Sequence, residues 1–110
     1  MNTKLIAGTV EMLILDVIAQ GPTYGYEIVQ VVTERSSGSV ELKEGSLYPA
    51  LHRLERRKLL STSWKNVDGR RRKYYKLNVA GQRFLDSKKE EWAQFSSGVN
   101  GVLGVQLGLA

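Results

Sequence analysis

Residues 43–77 have the sequence KEGSLYPALHRLERRKLLSTSWKNVDGRRRKYYKL, and this stretch decides the fold. Ser46 is a favourable N-cap residue for a helix that we predict over about Leu47–Lys58. Pro49 would then lie in the first turn, where its missing N–H costs no hydrogen bond. Apolar residues at helical spacing supply the inner face of this helix: Leu47, Leu51 and Leu54. The opposite face is polar and basic, so we expect the helix to pack on one side only.

A β-hairpin follows this helix. Asp68-Gly69 is a strong signal for a two-residue hairpin turn. The turn joins two strands that we predict at Leu60–Val67 and Arg72–Leu77. Three large residues are candidates for the inner face of the hairpin: Trp64, Tyr75 and Leu77.

Two further helices are predicted before this stretch. Thr9 caps the first, which runs to about Ala19 and has its apolar residues at the spacing of an amphipathic helix. Thr23 caps the second, over about Tyr24–Arg35. A loop and a short extended segment, Val40–Lys43, then lead to the third helix.

A long last helix is predicted to start near Val79, with Asn78 as its N-cap, and to reach about Leu103. Two sets of its residues recur every seven positions: Leu85, Trp92 and Val99, and Lys88, Phe95 and Val102. This heptad-like seam is too long for one small domain to cover, which favours homodimerisation. The alternative is that the helix packs back on the first helix of its own chain. Beyond Gly104 we expect the tail to fray.

The order of the elements is typical of a winged helix-turn-helix with an appended C-terminal helix. The fold class is therefore mainly α with a small β-hairpin. We predict a DNA-binding domain over residues 1–77, and a C-terminal dimerisation helix with its frayed tail over residues 78–110. In such a fold the third helix enters the major groove of DNA, and the hairpin forms the wing.

Positive charge is concentrated in the middle of the chain. In all, 16 Lys and Arg oppose 11 Asp and Glu, a formal net charge of +5. Residues 43–76 hold eleven basic and three acidic side chains, a net of +8, whereas residues 1–42 carry −3 and residues 77–110 carry 0. Such a distribution indicates a surface that binds a polyanion. Solubility is the alternative explanation, but solubility does not need the charge to be concentrated in one third of the chain.

The composition excludes several classes of protein. Cysteine is absent and histidine occurs once, which excludes a disulfide scaffold, a thiolate or multi-histidine metal site and a cysteine nucleophile. The sequence shows neither paired carboxylates nor a phosphate-binding glycine loop, so no enzyme and no cofactor are implied. No apolar run is long enough to span a bilayer, and Glu11 and Asp16 make residues 5–19 a poor signal peptide. We therefore expect a cytoplasmic protein without membrane contact.

The candidate DNA contacts lie on the third helix and on the wing. On and before the helix they are Lys43, Ser46, Tyr48, Pro49, His52 and Arg53, and on the wing they are Arg70, Arg71, Arg72 and Lys73. The helix can offer hydrogen bonds to base edges, and its N-terminus offers N–H groups to a phosphate. The wing cations would contact phosphates or the minor groove, which adds affinity but little sequence choice.

Each candidate has an alternative that the sequence leaves open. His52 is then an ordinary surface residue, Tyr48 packs on the wing, and residues 70–73 form a solvated turn. The cations at the end of the third helix fit its dipole as well as they fit DNA: Arg56, Arg57 and Lys58.

Large aromatic residues on the last helix predict either an interface core or a ligand site. Trp92 and Phe95 are in the first place candidates for the dimer interface, together with Leu85 and Val99. If the two helices of a dimer splay apart, a flat cavity flanked by Trp92 of each subunit could hold a small aromatic effector. A chain of 110 residues leaves no room for a separate sensor domain, so any effector is expected where the subunits meet.

Four motifs follow one another along residues 5–103: Gly25-Tyr26-Glu27-Ile28, Gly45-Ser46-Leu47-Tyr48-Pro49-Ala50-Leu51, Gly69-Arg70-Arg71-Arg72-Lys73-Tyr74-Tyr75 and Ala80-Gly81. In these motifs the chain resembles the PadR family of bacterial transcriptional regulators, in particular the smaller members with a single C-terminal helix. The central Ser-Leu-Tyr-Pro-Ala-Leu string is specific, since other winged-helix proteins share the architecture but not this string.

The resemblance implies a homodimeric regulator, usually a repressor, that dimerises through its C-terminal helix. In some members small aromatic or drug-like effectors release the DNA, and Trp92 is similar in position to a tryptophan at the mouth of their dimer-interface cavity. One departure is the glycine-rich end of the chain: Gly98, Gly101, Gly104 and Gly108. Because glycine weakens a helix by about 1 kcal/mol relative to alanine, we expect the seam to weaken after Val99.

The sequence is therefore consistent with two functions. The first is a sequence-specific, DNA-binding repressor that acts as a homodimer on a palindromic operator and is released by a small aromatic effector. The alternative is a sequence-neutral nucleic-acid or protein-interaction module on the same winged-helix fold.

Overall fold

The computed structural model describes the backbone of residues 3–105 and the side chains of residues 8–105. Within these residues the elements follow in the order α1 (Thr3–Ala19), α2 (Gly25–Arg35), α3 (Glu44–Arg56), β1 (Leu60–Val67), β2 (Arg70–Leu77) and α4 (Val79–Leu103). This order confirms the predicted winged helix-turn-helix with an added C-terminal helix. Across the described part of the chain, every helix is too short or too polar to cross a membrane.

One apolar core lies between the first three helices, the base of the hairpin and the start of α4. Its most deeply buried side chains are Ile14, Leu15, Ile18, Ile28, Leu47, Leu51, Leu54 and Leu85. The three leucines predicted for the inner face of α3 are all among them, so that prediction is confirmed. Burial of each such side chain contributes roughly 1.5–3 kcal/mol of hydrophobic stabilisation. Because the three leucines of α3 are buried in the core, the opposite face of α3 points toward solvent.

The first two helices do not start where their predicted caps lie. α1 starts at Thr3, so Thr9 lies inside the helix and is not its N-cap. Thr23 does not cap α2, whose N-cap is Tyr24. Instead, the backbone of Thr23 pairs with Tyr75 of β2 through N···O distances of 3.1 and 2.7 Å. Its hydroxyl donates to a carboxylate oxygen of Glu27 at 2.6 Å.

α3 also starts earlier than predicted. Lys43 is its N-cap, so Ser46 is the third residue of the helix and Pro49 lies in the second turn. The Lys43 side chain makes no capping hydrogen bond, and the N–H groups of Ser46 and Leu47 both donate to the carbonyl of Lys43, at 3.0 and 2.9 Å. The helix ends at Arg56 rather than Lys58, which adopts a left-handed φ of 59°.

The hairpin has the predicted turn but a longer second strand. Asp68 and Gly69 both have positive φ, 51° and 77°, as a tight two-residue turn requires. β2 therefore starts at Arg70, two residues before the predicted start, and pairs Val67 with Arg70. Trp64 was expected on the inner face and is 55% exposed instead. Only the base of the hairpin reaches the core, because the rest projects beyond the helices.

α4 has the predicted bounds. The Asn78 side chain accepts a hydrogen bond from the N–H of Gly81 at 2.7 Å, which confirms Asn78 as the N-cap. Gly104 ends the helix with a left-handed φ of 71°, and its N–H donates to the carbonyl of Asn100. The tail that we expect to fray lies, apart from Val105, outside the described residues.

Candidate nucleic-acid interface

The exposed surface of α3 follows from the position of its core residues. Successive residues turn by about 100° around the helix axis, so the side chains opposite the buried leucines form one line. This central line consists of Pro49, His52 and Arg56, all exposed. Tyr48 lies along one edge of it, toward the hairpin, and Arg53 lies along the other edge, toward α1. A helix with such a line can be placed in the major groove with its side chains toward the bases.

Arg56 was missing from the predicted contacts. It follows His52 by four residues, which places both on the same line of the helix. Among the residues whose side chains are described, Arg56 forms no ion pair. Its spacing from His52 was the signal available in the sequence, but its position near the end of the helix suited the helix dipole equally well.

Tyr48 packs against the start of α2. A Cβ atom at Gly25, the first residue of α2, would stand 2.7 Å from the Tyr48 hydroxyl oxygen. The Tyr48 ring therefore packs directly against the backbone of Gly25, which has no side chain to block this contact. The ring is still 42% exposed, so Tyr48 borders the central line and also packs within the domain.

The α1 edge of the helix is occupied by an ion-pair cluster. The Arg53 Nε lies 2.9 Å from one carboxylate oxygen of Glu11, and the Arg57 Nη1 lies 4.0 Å from the other. The Arg57 guanidinium also lies 4.5 Å from the centre of the Phe84 ring of α4. Arg53 is thus exposed at the edge of the predicted interface but already has an anionic partner in its own chain.

The N-terminus of α3 is open to solvent. Lys43 and Ser46 are both exposed there, next to the first turn of the helix. A helix N-terminus of this kind attracts anions, and the two side chains can add to that attraction. Glu44 lies in the same turn, so its carboxylate opposes a bound phosphate.

The four wing cations differ in what they contact. Alternation along β2 places Arg70 and Arg72 on one side of the hairpin and Arg71 and Lys73 on the other. Arg70 and Arg71 are exposed next to the turn, with Arg71 4.8 Å from the centre of the Trp64 ring. Arg72 lies 4.1 Å from the centre of the Tyr24 ring. The two arginines nearest the turn are therefore the most accessible ones.

Lys73 links the wing to α3. Its Nζ donates to a carboxylate oxygen of Glu55 at 2.8 Å, and both side chains are about three-quarters buried. This hydrogen bond raises the pKa of Lys73 above its ordinary value of 10.5, although desolvation acts in the opposite direction. Burial likewise raises the pKa of the adjacent Tyr75, although the charge of Lys73 opposes the shift. Lys73 therefore connects the wing to α3 through a partly buried ion pair with Glu55.

The residues predicted for the seam of α4 fall into two groups. Leu85 is 1% exposed and packs in the core of its own chain, which corrects its assignment to a surface between subunits. Trp92, Phe95 and Val99 are exposed. The Trp92 and Phe95 rings lie 6.3 Å apart and line a shallow groove with Met12 of α1.

Within the described residues, no cluster of three or more His, Asp or Glu side chains is arranged to hold a metal ion.

The structure gives α3 a basic exposed face and gives the wing a basic tip. Of the ten predicted contacts, four are cations that also contact a partner in the described part of the chain: Arg53, Arg71, Arg72 and Lys73.

Comparison with known proteins bears on the function of this surface. The sequence model of the transcriptional regulator PadR-like family matches residues 14–87. Transcriptional regulator Rv3488 of Mycobacterium tuberculosis is 33% identical over 92 residues, which cover 84% of this chain and 83% of that protein.

Solved structures agree with this result. A transcriptional regulator from Clostridium thermocellum superposes with a TM-score of 0.82 at 30% identity, covering 89% of this chain and 96% of the other. A PadR family transcription regulator from Clostridium difficile gives a TM-score of 0.72 at 36% identity, covering 86% and 97%. These relatives are regulators of transcription and not enzymes, as the sequence predicted for this chain.

Proposed function

Because this chain belongs to the PadR-like family of transcriptional regulators, we propose that it is a homodimeric repressor that binds a palindromic operator. Residues 1–77 form its DNA-binding part and residues 78–110 its dimerisation part. It acts in the cytoplasm, where the DNA is. Two subunits related by a two-fold axis would place two copies of α3 in successive major grooves, which is why the operator is expected to be palindromic.

The observation that carries the proposal is the exposed basic surface of α3 and the wing. Pro49, His52 and Arg56 form the part of α3 farthest from the core, and we assign to them the contacts with base edges. Arg70 and Arg71 at the wing tip contact phosphates or the minor groove. Tyr48, Lys43 and Ser46 border this surface and contact the sugar–phosphate backbone. Lys73 keeps the wing at its angle to α3.

A gel-shift titration tests the DNA proposal. The probes are the upstream region of the gene itself and a random duplex of equal length, each measured over a range of salt concentrations. Specific binding is expected to exceed binding to the random duplex by at least about 10³-fold. Binding that weakens with salt but shows no preference would favour the sequence-neutral module instead.

Two substitutions separate base contacts from phosphate contacts. His52→Ala is expected to weaken binding to the operator by about 1–3 kcal/mol and to leave binding to the random duplex unchanged. Arg71→Ala is expected to weaken both, and to reduce the slope of log affinity against log salt by about 0.9. If His52→Ala has no selective effect, the central line of α3 does not contact the bases.

The dimer is proposed to form through the exposed apolar side of α4. Trp92, Phe95 and Val99 lie on this side, and Val102 continues it toward the end of the helix. A monomeric protein rarely exposes so many large apolar residues in one stripe, and a second copy of the same stripe covers it with self-complementary contacts. Val99→Glu is expected to give a monomer in sedimentation analysis without loss of helix content. An unchanged mass would contradict this interface.

A small aromatic effector is proposed to bind beside Trp92 in the dimer. The support is the groove that Trp92 and Phe95 form with Met12 of α1, because its walls are aromatic and apolar. Titration of planar aromatic compounds is expected to quench Trp92 fluorescence in a Trp64→Phe variant, and to lower the affinity for DNA. Quenching without an effect on DNA binding would mean that the ligand does not distinguish the two states of the dimer.

A further inference from the structure

Glu11 of α1 is placed where it controls two arginines of the DNA-binding helix. Its side chain is 19% exposed, and its carboxylate has one oxygen 2.9 Å from the Arg53 Nε and the other 4.0 Å from the Arg57 Nη1. In the sequence, Glu11 is only a charge that interrupts an apolar stretch. The structure shows it bound to two of the eleven basic residues of the middle segment.

The geometry of α3 makes this pairing consequential. Arg53 follows Pro49 by four residues and therefore stands next to the central line, and Arg57 continues the same edge one turn later. Both side chains are about half exposed, so solvent and a phosphate could reach them. The Arg53 Nε–H donates to Glu11 and has to exchange that partner before it can bind a phosphate, whereas Arg57, at 4.0 Å, is attracted to Glu11 by charge without a hydrogen bond.

The position of Arg57 is held by a second contact. Its guanidinium lies 4.5 Å from the centre of the Phe84 ring, and the Lys88 ammonium lies 5.4 Å from the centre of the same ring. Glu11 thus lies in a cluster that joins α1, α3 and α4. Because the Glu11 side chain is largely buried in this cluster, it has less freedom to move than a carboxylate on the open surface.

We infer that Glu11 is a positioning residue of the DNA interface, which withholds Arg53 and Arg57 from the phosphates and so limits the affinity of α3 for DNA. The inference rests on the proposed DNA-binding function. Because phosphate contacts strengthen binding to every sequence alike, withholding two of them lowers the affinity for operator and random DNA together and leaves their ratio to the base contacts. Pro49, His52 and Arg56 then account for the base contacts of α3.

A double-mutant cycle on a random-sequence duplex tests this inference, because binding to such DNA depends on phosphate contacts alone. The four proteins are the wild type, Glu11→Gln, Arg53→Gln and the combination. Glu11→Gln is expected to steepen the slope of log affinity against log salt by about 0.9 for each arginine released. Introduced into the wild type, Arg53→Gln is expected to leave the slope nearly unchanged. Introduced into the Glu11→Gln variant, the same substitution is expected to lower the slope by about 0.9.

Glu44→Gln is the matched control. It removes the same charge from α3 itself, and Glu44 forms no ion pair with any residue whose side chain is described. Its neutralisation raises the affinity through the general field, so the effect of Arg53→Gln is expected to be the same with and without it. Urea unfolding of every variant verifies that it is folded, and Glu11→Ala, which introduces a good helix former, replaces Glu11→Gln if that variant does not fold.

The outcomes are distinct. If Arg53→Gln lowers the slope by the same amount with and without Glu11, Arg53 already binds phosphate in the wild type and the inference is overturned. A wild type that binds all duplexes equally overturns the repressor proposal, yet the cycle can still be interpreted. A wild type that binds no duplex at low salt overturns both.

Discussion

The first half of α4 and its second half share a seven-residue apolar spacing but have different surroundings. From Val79 to Lys89 the helix packs into its own domain: Leu85 is in the core, and Phe84 packs against it. From Glu90 to Leu103 the large apolar side chains are exposed, with Phe95 at 58%. Heptad spacing therefore indicates which residues share a side of a helix, but not whether the partner of that side belongs to the same chain.

The two halves also differ in how they use glycine. Gly81 is buried in the first turn, where a Cβ would collide with the carbonyl oxygen of Leu59 and with the Leu77 side chain. In the second half, a Cβ at Gly101 would have no atom within 4 Å. Close packing against the domain thus requires glycine at one end of the helix, while at the other end glycine only lowers helix stability.

Truncation of Leu85 is expected to have the largest effect. Leu85→Ala leaves a cavity in the core and should lower the free energy of unfolding by about 2–5 kcal/mol, measured by urea unfolding. Phe95→Ala is the control, because it removes a larger side chain from the exposed half. Below the concentration at which a dimer forms, we expect it to cost less than about 0.5 kcal/mol. Equal losses would mean that the second half also packs within the chain.

Alanine at the two glycines is expected to act in opposite directions. Gly81→Ala forces the first turn away from Leu59 and should cost about 1–3 kcal/mol. Gly101→Ala should instead raise the free energy of unfolding by up to about 1 kcal/mol, since alanine favours helix. Gly101 lies nine residues, or about 180°, from Trp92, so the substitution does not disturb the proposed interface. Chemical unfolding of both variants gives the signs, and a loss for Gly101→Ala would contradict an open second half.

The difference between the halves could only partly be predicted from the sequence. The N-cap Asn78 and the end of α4 near Leu103 were predicted, because a cap and a glycine act on the backbone beside them. The assignment of Leu85 to a subunit interface was wrong, because spacing does not say which surface lies opposite. Trp64 was misplaced for a related reason: alternation gives the side of a strand but not how far the core extends along it.

The candidate DNA interface was likewise predicted where local sequence patterns determine it, and missed where tertiary contacts do. The exposed face of α3 was predicted from its leucines, since burial of Leu47, Leu51 and Leu54 fixes what points outward. The ion-pair partners of the residues at the edges of α3 were not predicted, because Glu11 and Arg53, for example, are 42 residues apart in the chain. Lys73 and Glu55 likewise meet only after the hairpin has folded back toward α3. Pairings of this kind depend on tertiary structure, and a charge count along the sequence cannot detect them.

Removal of the helix cap tests whether the first half of α4 depends on its own start. Asn78→Ala deletes the acceptor for the Gly81 N–H and also the bond from the Asn78 amide to the carbonyl of Lys58 at 2.8 Å. A loss of about 0.5–2 kcal/mol in urea unfolding is expected. Asn100→Ala, in the exposed half, is the control and should be nearly neutral. A neutral Asn78→Ala would show that packing of Leu85 suffices to hold the start of the helix.

The smallest change in the free energy of unfolding is expected at the Asp16–Lys89 ion pair, which joins α1 to α4 just before the exposed half of α4. The Lys89 Nζ lies 2.8 Å from an Asp16 carboxylate oxygen, and Arg35 binds the other oxygen at 3.4 Å. Burial opposes ionisation, but Lys89 and then Arg35 outweigh it and hold the pKa of Asp16 below its ordinary value of 3.8. Because the folded-state pKa is depressed, the stabilisation is present above pH 3.8 and is lost as the pH falls through the folded value.

Lys89→Met is therefore expected to cost less than about 1 kcal/mol near neutral pH, since the lysine is half exposed. The cost should disappear once the pH has fallen below the depressed pKa of Asp16, where Asp16 is protonated in both proteins. Urea unfolding across this pH range measures it, with Arg83→Met as a control that removes a cation from the same helix without an ion pair among the described residues. A cost that persists in acid would mean that Lys89 stabilises the junction through its aliphatic chain, and that charge plays no part in where α4 leaves the domain.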